Sequence, residues 1–305
     1  MLAERINNTL RFFDLQNLPL TAYEIHKFLI ADTAALRSKL DENYELDNGI
    51  GTELPPVHFD TILTQLHILS REGKVIGQNG FYCLPGRESI IRDRLVNYLH
   101  GLSRERLVRR FLLPTQHIPF VRGVALAGSQ ALGQQRESSD IDLLIITDQK
   151  YMWIARTLLS AWFQFLGLRR HGKKIANRFC LNHYLANTGE RTSERNLYTA
   201  LEYAKLRPIV YPSVIRKFQK TNQGWMKQFF PNLVLTAASI KPQSDWQQLL
   251  EGVLRNRFGQ WLDKRLGAWQ QKRILQDQFV FVRSDELSFH PDSKQASLLQ
   301  GFFKL

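Results

Sequence analysis

The sequence has little of what marks secreted or membrane-spanning proteins. It contains 2 cysteines, Cys83 and Cys180, too few for a disulfide scaffold, which favours a reducing compartment. Uncharged runs reach about a dozen residues, as in 157–168, which is too short to cross a bilayer. The first residues run directly into mixed polar sequence, so no signal peptide is expected. These features predict a cytoplasmic protein without a membrane partner.

Several familiar catalytic and cofactor-binding patterns are also missing. The sequence has no Walker phosphate loop, no dinucleotide fingerprint and no nucleophile triad. Its 8 histidines are scattered, and Cys180 and His183 form a single Cys-x-x-His pair, so zinc is not expected. No internal repeat or low-complexity tract is present. None of these sites is therefore expected in this protein.

Charge is distributed unevenly along the chain. The 305 residues carry a formal net charge of +13, and residues 101–180 hold 13 Lys/Arg against 5 Asp/Glu. A dense basic segment lies at 169–174, with Arg178 just beyond it. Such a field attracts polyanions, either a nucleoside triphosphate or a nucleic acid backbone. A solvated basic surface without a ligand is the alternative interpretation.

The strongest signal is a pair of carboxylates that follows a glycine–serine turn. One apolar run precedes Gly128 and Ser129, a second follows Asp140 and Asp142, and each run predicts a buried strand. Because side chains alternate along a strand, the two acids point to the same side. Paired carboxylates suit Mg²⁺, with Mn²⁺ as the alternative, and the turn permits close approach of a phosphate. The pattern therefore predicts a triphosphate–metal site.

This order resembles the signature of the DNA polymerase β-like nucleotidyltransferase superfamily. In that signature a strand and Gly-Ser lead through a short helix to Asp-hydrophobic-Asp at the next strand. Gly128, Ser129, Asp140 and Asp142 match it within residues 121–148. The resemblance implies an α/β (α+β) core with a small mixed sheet flanked by helices. It also implies transfer of a nucleoside monophosphate from an NTP to a hydroxyl on RNA, a protein or a small molecule.

The resembled superfamily carries a third carboxylate on the strand that follows Asp-x-Asp. The counterpart here, 179–185, contains no acid, and Asn182 at its centre is a neutral, weaker metal ligand. Glu202, on the next predicted helix, is the candidate substitute for the third catalytic acid, although such a glutamate is more often simply solvated. The further candidates for nucleotide binding are Arg136, Lys173, Lys174 and Asn182.

Three regions are predicted along the chain. Residues 1–100 predict three helices and an Asn79-Gly80 hairpin, an order that resembles a winged helix-turn-helix. Residues 101–212 hold the nucleotidyltransferase core, reached through a connecting helix at 88–113. Residues 213–305 predict a helical C-terminal region. A winged-helix-like segment before this type of core is similar to the arrangement in some prokaryotic proteins.

These patterns support three functional hypotheses. The leading one is a Mg²⁺-dependent nucleotidyltransferase in which Asp140 and Asp142 hold the metal, while Gly128 and Ser129 hold the β- and γ-phosphates. The second is a nucleic-acid-binding regulator whose catalytically weak core senses nucleotide; the missing third acid and the winged-helix-like start favour it. The third is an adaptor whose helical ends dock partner proteins.

Overall fold

The computed structural model describes the chain in several segments, and for residues 182, 281 and 292–294 it describes the backbone alone. The described residues are 2–41, 44–46, 54–172, 174–186, 194–236, 243–274, 281–283, 285–288 and 292–304. Among them, no helix combines the length and the apolar character needed to span a bilayer.

The N-terminal unit contains the predicted helices and hairpin. In chain order its elements are α1 (Leu2–Asp14), β1 (Leu20–Thr21), α2 (Ala22–Lys27), α3 (Thr33–Arg37), α4 (Phe59–Arg71), β2 (Ile76–Gln78) and β3 (Phe81–Cys83). The strands form an antiparallel sheet in the order β1-β3-β2. A capping box starts α2: the Thr21 hydroxyl accepts from the Glu24 N–H at 3.2 Å, and the Glu24 carboxylate accepts from the Thr21 N–H at 3.1 Å.

The predicted connecting helix and core elements follow. They are α5 (Ser89–Leu112), β4 (Val121–Leu126), α6 (Gly128–Leu132), β5 (Ile141–Thr147), α7 (Met152–Phe165), β6 (Phe179–Ala186), α8 (Leu197–Lys205) and β7 (Arg207–Val210). The helix α5 ends next to Pro114, whose ring cannot continue an α-helix. Strand β5 pairs with β4 antiparallel and with β6 parallel, so the sheet is mixed, as expected.

The C-terminal region contains helices and two short strands. Its elements are α9 (Pro212–Phe229), α10 (Asp245–Leu254), α11 (Arg257–Ile274), β8 (Phe281–Val282), β9 (Glu286–Ser288) and α12 (Asp292–Phe303). The sequence pattern predicts the helices but not the strands. Strand β9 pairs antiparallel with β6, which gives a six-stranded sheet in the order β7-β4-β5-β6-β9-β8.

Alternating side chains of the central strand divide the core into two layers. Leu143 and Ile145 belong to the cluster that includes the buried face of α7, whereas Leu144 and Ile146 belong to the cluster of α8, α9 and the N-terminal helices. Fully burying one such side chain contributes roughly 1.5–3 kcal/mol. The second cluster joins residues from all three predicted regions. The division of the chain into three regions with boundaries at residues 100 and 212 therefore stays a prediction.

Candidate active site

The glycine–serine turn lies directly against one of the two carboxylates. Strand β4 ends at Leu126, and the Ala127 N–H then donates to the Asp142 carbonyl at 2.9 Å, which ties the turn to β5. Gly128 has a φ of +55°, and a Cβ built there would lie 2.5 Å from Asp142 Oδ2. Glycine is therefore required both by the left-handed backbone and by the approach of the carboxylate.

Three potential metal ligands converge where β5 and β6 begin. Cys180 is the register partner of Asp142 on the adjacent parallel strand. One ligand atom each of Asp140, Asp142 and Cys180 lies within 4.8 Å of the others, and all three residues are partly exposed. Burial raises the pKa of the Cys180 thiol to about 12; the Asp142 carboxylate adds to the shift and the Arg170 guanidinium opposes it. Without a cation, the thiol is therefore protonated at neutral pH.

Arg170 contacts two members of this group. Its Nη1 donates to Asp140 Oδ2 at 2.5 Å and lies 3.4 Å from Cys180 Sγ. The Phe179 N–H donates to the Leu168 carbonyl at 2.8 Å, and the Arg170 N–H donates to the Phe179 carbonyl at 3.0 Å. These bonds lay the segment after α7 along the start of β6, which places the guanidinium beside the carboxylates.

The group opens into a cavity of about 1450 Å³. This volume exceeds the 300–1,000 Å³ of most small-molecule pockets. Its walls include the turn, β5 and β6, the helices α5, α7, α8 and α12, and the basic segment that follows α7. The sequence-predicted residues that line it are Gly128, Ser129, Arg136, Asp140, Asp142 and Glu202.

Glu202 lines this cavity from α8, but it is not part of the group formed by Asp140, Asp142 and Cys180. Tyr198, one helical turn earlier, lines the cavity as well. The Glu202 carboxylate, which accepts a hydrogen bond from the Tyr198 hydroxyl, raises the pKa of that phenol, and burial acts in the same direction. The helix presents a carboxylate–phenol pair to the cavity.

The remaining residues predicted to bind nucleotide are not found among the described residues that line the cavity. Lys174 is exposed in a tight turn paired with His171 and does not line the cavity. Lys173 and the side chain of Asn182 lie outside the described residues. In the sequence, Asn182 occupies the centre of the predicted strand. In the structure, the register between β5 and β6 places Cys180 opposite Asp142, and the pairing is irregular between Asp142 and Leu144. For Lys173, Lys174 and Asn182, a role in nucleotide binding stays a prediction.

Several cavity residues are ones that the sequence does not single out as ligands. They are Arg156, Arg169, Arg170, Cys180 and Tyr198. Arg169 and Arg170 belong to the basic segment recognised in the sequence, so their charge was a usable signal. Arg156 lies on α7, whose apolar pattern indicates only core packing. Nothing local marks Tyr198, because its place depends on how α8 packs against the sheet.

Comparison with known families agrees with this geometry. The family model described as "Nucleotidyltransferase domain" matches residues 106–179, a segment that contains the glycine–serine turn and both carboxylates. No curated protein and no solved structure matches the chain significantly. The matched segment does not include the N-terminal unit. This chain therefore contains a nucleotidyltransferase domain, in agreement with its resemblance to the DNA polymerase β-like superfamily.

Proposed function

We propose that this protein is a metal-dependent nucleotidyltransferase that moves a nucleoside monophosphate from an NTP to a hydroxyl acceptor. The observation that carries the proposal is one cavity that joins the glycine–serine turn, the paired carboxylates and the guanidinium groups of Arg136, Arg156, Arg169 and Arg170. Positioning and charge neutralisation are what this chemistry demands of a protein.

The residues present fit a divalent cation. Asp140 and Asp142 offer carboxylate oxygens close enough to share one ion, and Gly128 leaves the Asp142 carboxylate unobstructed. Mg²⁺ and Mn²⁺ take one or two protein carboxylates together with phosphate oxygens. When bound, the cation would neutralise negative charge on the triphosphate.

The chain itself would position the triphosphate. Gly128 allows the phosphate to approach the backbone, and the Ser129 hydroxyl can donate to a phosphate oxygen. Arg170 Nη1 lies 2.5 Å from Asp140 Oδ2 and lines the same cavity, so its guanidinium is close enough to the proposed metal ligands to bind a phosphate oxygen of the NTP. A planar guanidinium binds phosphate oxygens in bidentate fashion.

Transfer forms one bond and breaks another at the α-phosphorus. The acceptor oxygen bonds to phosphorus, the bond to the bridging oxygen of the β-phosphate breaks, and pyrophosphate leaves with the electron pair. The hydroxyl proton must also be removed, and we propose Glu202 as its acceptor because its carboxylate lines the cavity from α8. Tyr198 would orient that carboxylate through its hydrogen bond.

The test is turnover of labelled NTPs with a divalent cation. Wild-type protein should release pyrophosphate from at least one of the four NTPs, whereas a variant carrying Asp140→Asn and Asp142→Asn should lose about a hundredfold or more. Asp60→Asn, on the exposed start of α4, is the matched control. Equal turnover by the double variant and the wild type with every NTP would refute the proposal. Thermal unfolding with each NTP gives an independent measure of binding, because a ligand stabilises the folded state.

We further propose that the N-terminal unit is a winged helix that serves docking rather than DNA binding. The sheet order β1-β3-β2 and the helix α4 before the hairpin support a winged-helix arrangement. The exposed side of α4 carries Phe59, Leu63 and Ile68, and its basic residue is Arg71 at the last position. Such a face offers little to a phosphate backbone. Strongly salt-dependent DNA binding would instead favour the regulator hypothesis.

The two cysteines bear on the cellular compartment that we propose for this protein. Cys83 and Cys180 are both free thiols, and Cys180 lies among candidate metal ligands, where oxidation would change the donor set. We therefore place the protein in the reducing cytoplasm.

A further inference from the structure

We propose that Cys180 is the third protein ligand of the metal site, and that the site therefore prefers a borderline divalent ion such as Co²⁺ or Zn²⁺ over Mg²⁺. The inference rests on the proposed function, since it concerns the same cation. It goes further by replacing the missing third carboxylate with sulfur and by naming the class of ion.

The register of the sheet places the thiol beside the carboxylates. In a parallel pair the side chains of register partners project on the same face, with backbones roughly 4.8 Å apart. Cys180 stands in this relation to Asp142, and its Sγ lies within 4.8 Å of a carboxylate oxygen of each aspartate. Bonds of roughly 2.3 Å to sulfur and 2.1 Å to oxygen would separate tetrahedral ligands by about 3.6 Å. Small side-chain rotations would bring all three onto one ion, provided that the ion displaces the Arg170 guanidinium, which contacts Asp140 and Cys180.

Within the part of the chain that the structure describes, no other group of three such ligands is found. Glu202 lines the cavity, but its carboxylate is outside the group. The position that faces Asp142 across the strands is thus occupied by a sulfur donor.

The donor set decides which ion is held best. Mg²⁺ requires hard oxygen ligands in near-octahedral geometry and gains little from a thiolate. Co²⁺ and Zn²⁺ accept carboxylate and thiolate together, whereas Mn²⁺ resembles Mg²⁺ in its preference for oxygen ligands. On binding, the sulfur–metal bond replaces the S–H bond, and the proton passes to solvent. An ion of this class would use three protein ligands where Mg²⁺ would use two.

The experiment is titration of the full-length, metal-free protein with Co²⁺, because a thiolate bound to Co²⁺ gives a charge-transfer absorption band in the near ultraviolet. We expect the band in the wild type and in Cys83→Ala, and its loss in Cys180→Ser. Cys83 is the matched control because it is buried in β3, away from the cavity. We also expect Co²⁺ to bind at least tenfold tighter than Mg²⁺, and Cys180→Asp to reduce that ratio. Thermal unfolding checks that each variant is folded.

A Co²⁺ complex without the band, or a band that survives in Cys180→Ser, would overturn the ligand assignment. If the Cys83→Ala protein does not fold, the wild type can be used instead. Bound Co²⁺ should then protect Cys180 from an alkylating reagent if Cys180 is a metal ligand. Failure here is separable from failure of the proposed function. If nucleotidyl transfer depends on Asp140 and Asp142 but the Co²⁺ complex shows no thiolate band, the proposed transferase function is retained and Cys180 is not a metal ligand.

Discussion

Replacing Arg170 by glutamine should change metal binding and nucleotide binding in opposite directions. The guanidinium donates to Asp140 Oδ2 at 2.5 Å, so it competes with any cation for that carboxylate. In the nucleotide complex, by our proposal, the same guanidinium binds phosphate instead. The variant should therefore bind the metal ion more tightly and the NTP more weakly.

The structure sets the size of each effect. The side chain of Arg170 is 42% exposed and that of Asp140 is 17% exposed, so solvent screens the pair and its contribution is at most about 1 kcal/mol. Removing this competition should tighten metal binding by about two- to fivefold. A hydrogen bond from a charged group is worth roughly 1.5–3 kcal/mol, so the loss of the phosphate contact should weaken NTP binding about tenfold to a hundredfold.

Calorimetric titration measures both affinities, first with the metal alone and then with NTP at a saturating metal concentration. Arg106→Gln, which removes an exposed charge from α5, controls for the change in net charge. Lys174→Gln tests the competing sequence-based assignment. The proposal that Arg170 changes partner from the Asp140 carboxylate to a phosphate is wrong if Arg170→Gln weakens both metal and NTP binding. It is also wrong if Lys174→Gln weakens NTP binding to the same extent.

Two further substitutions probe the turn and the attachment of the N-terminal unit. Gly128→Ala would place a Cβ 2.5 Å from Asp142 Oδ2 at a φ of +55°, so we expect NTP turnover to fall at least tenfold and the unfolding free energy by roughly 1–2 kcal/mol, as read from turnover assays and urea titration. For Glu24, burial would raise the carboxyl pKa, but Lys205 and Arg94 outweigh burial and lower it from 4.5 to about 2. Its stabilisation is therefore complete above pH 4.5 and is lost as the pH falls towards 2, so Glu24→Gln should cost roughly 3 kcal/mol at neutral pH and progressively less below pH 4.5. A pH-independent cost in urea unfolding would contradict this reasoning.

Features that depend on neighbours in the sequence were predictable. The capping box at Thr21 and Glu24 follows from a spacing of three residues. The contact of Gly128 with Asp142 follows from two strands joined by a short segment, because adjacent antiparallel strands bring their connected ends together. In both cases the local pattern and the final packing agree.

Cys180, which we propose as the third metal ligand, could not be located in this way, because its position beside Asp142 depends on a long connection. Strands β5 and β6 are joined through α7, and the register between them is fixed only when that helix packs on the sheet. The sequence shows Asn182 only as the centre of the strand, whereas the register, which is irregular between Asp142 and Leu144, places Cys180 opposite Asp142. The strands β8 and β9, of two and three residues, are too short to leave a periodic signal.

The loop between the glycine–serine turn and the carboxylates is held by parts of the chain outside the matched domain. The side-chain amide of Gln134 donates to the carbonyls of residues 16–17 at 2.9 and 2.8 Å. Arg104, on α5, donates to the carbonyls of residues 136–137 at 2.8 and 2.7 Å. Because this loop sets the distance between the phosphate-binding turn and Asp140, the N-terminal unit and α5 help to define the geometry of the site. We therefore expect the full-length variants Gln134→Ala and Arg104→Ala to show a smaller nucleotide-dependent thermal shift than the wild type, with the exposed Arg106→Gln as the control for lost charge; an unchanged shift would contradict this role of the loop contacts.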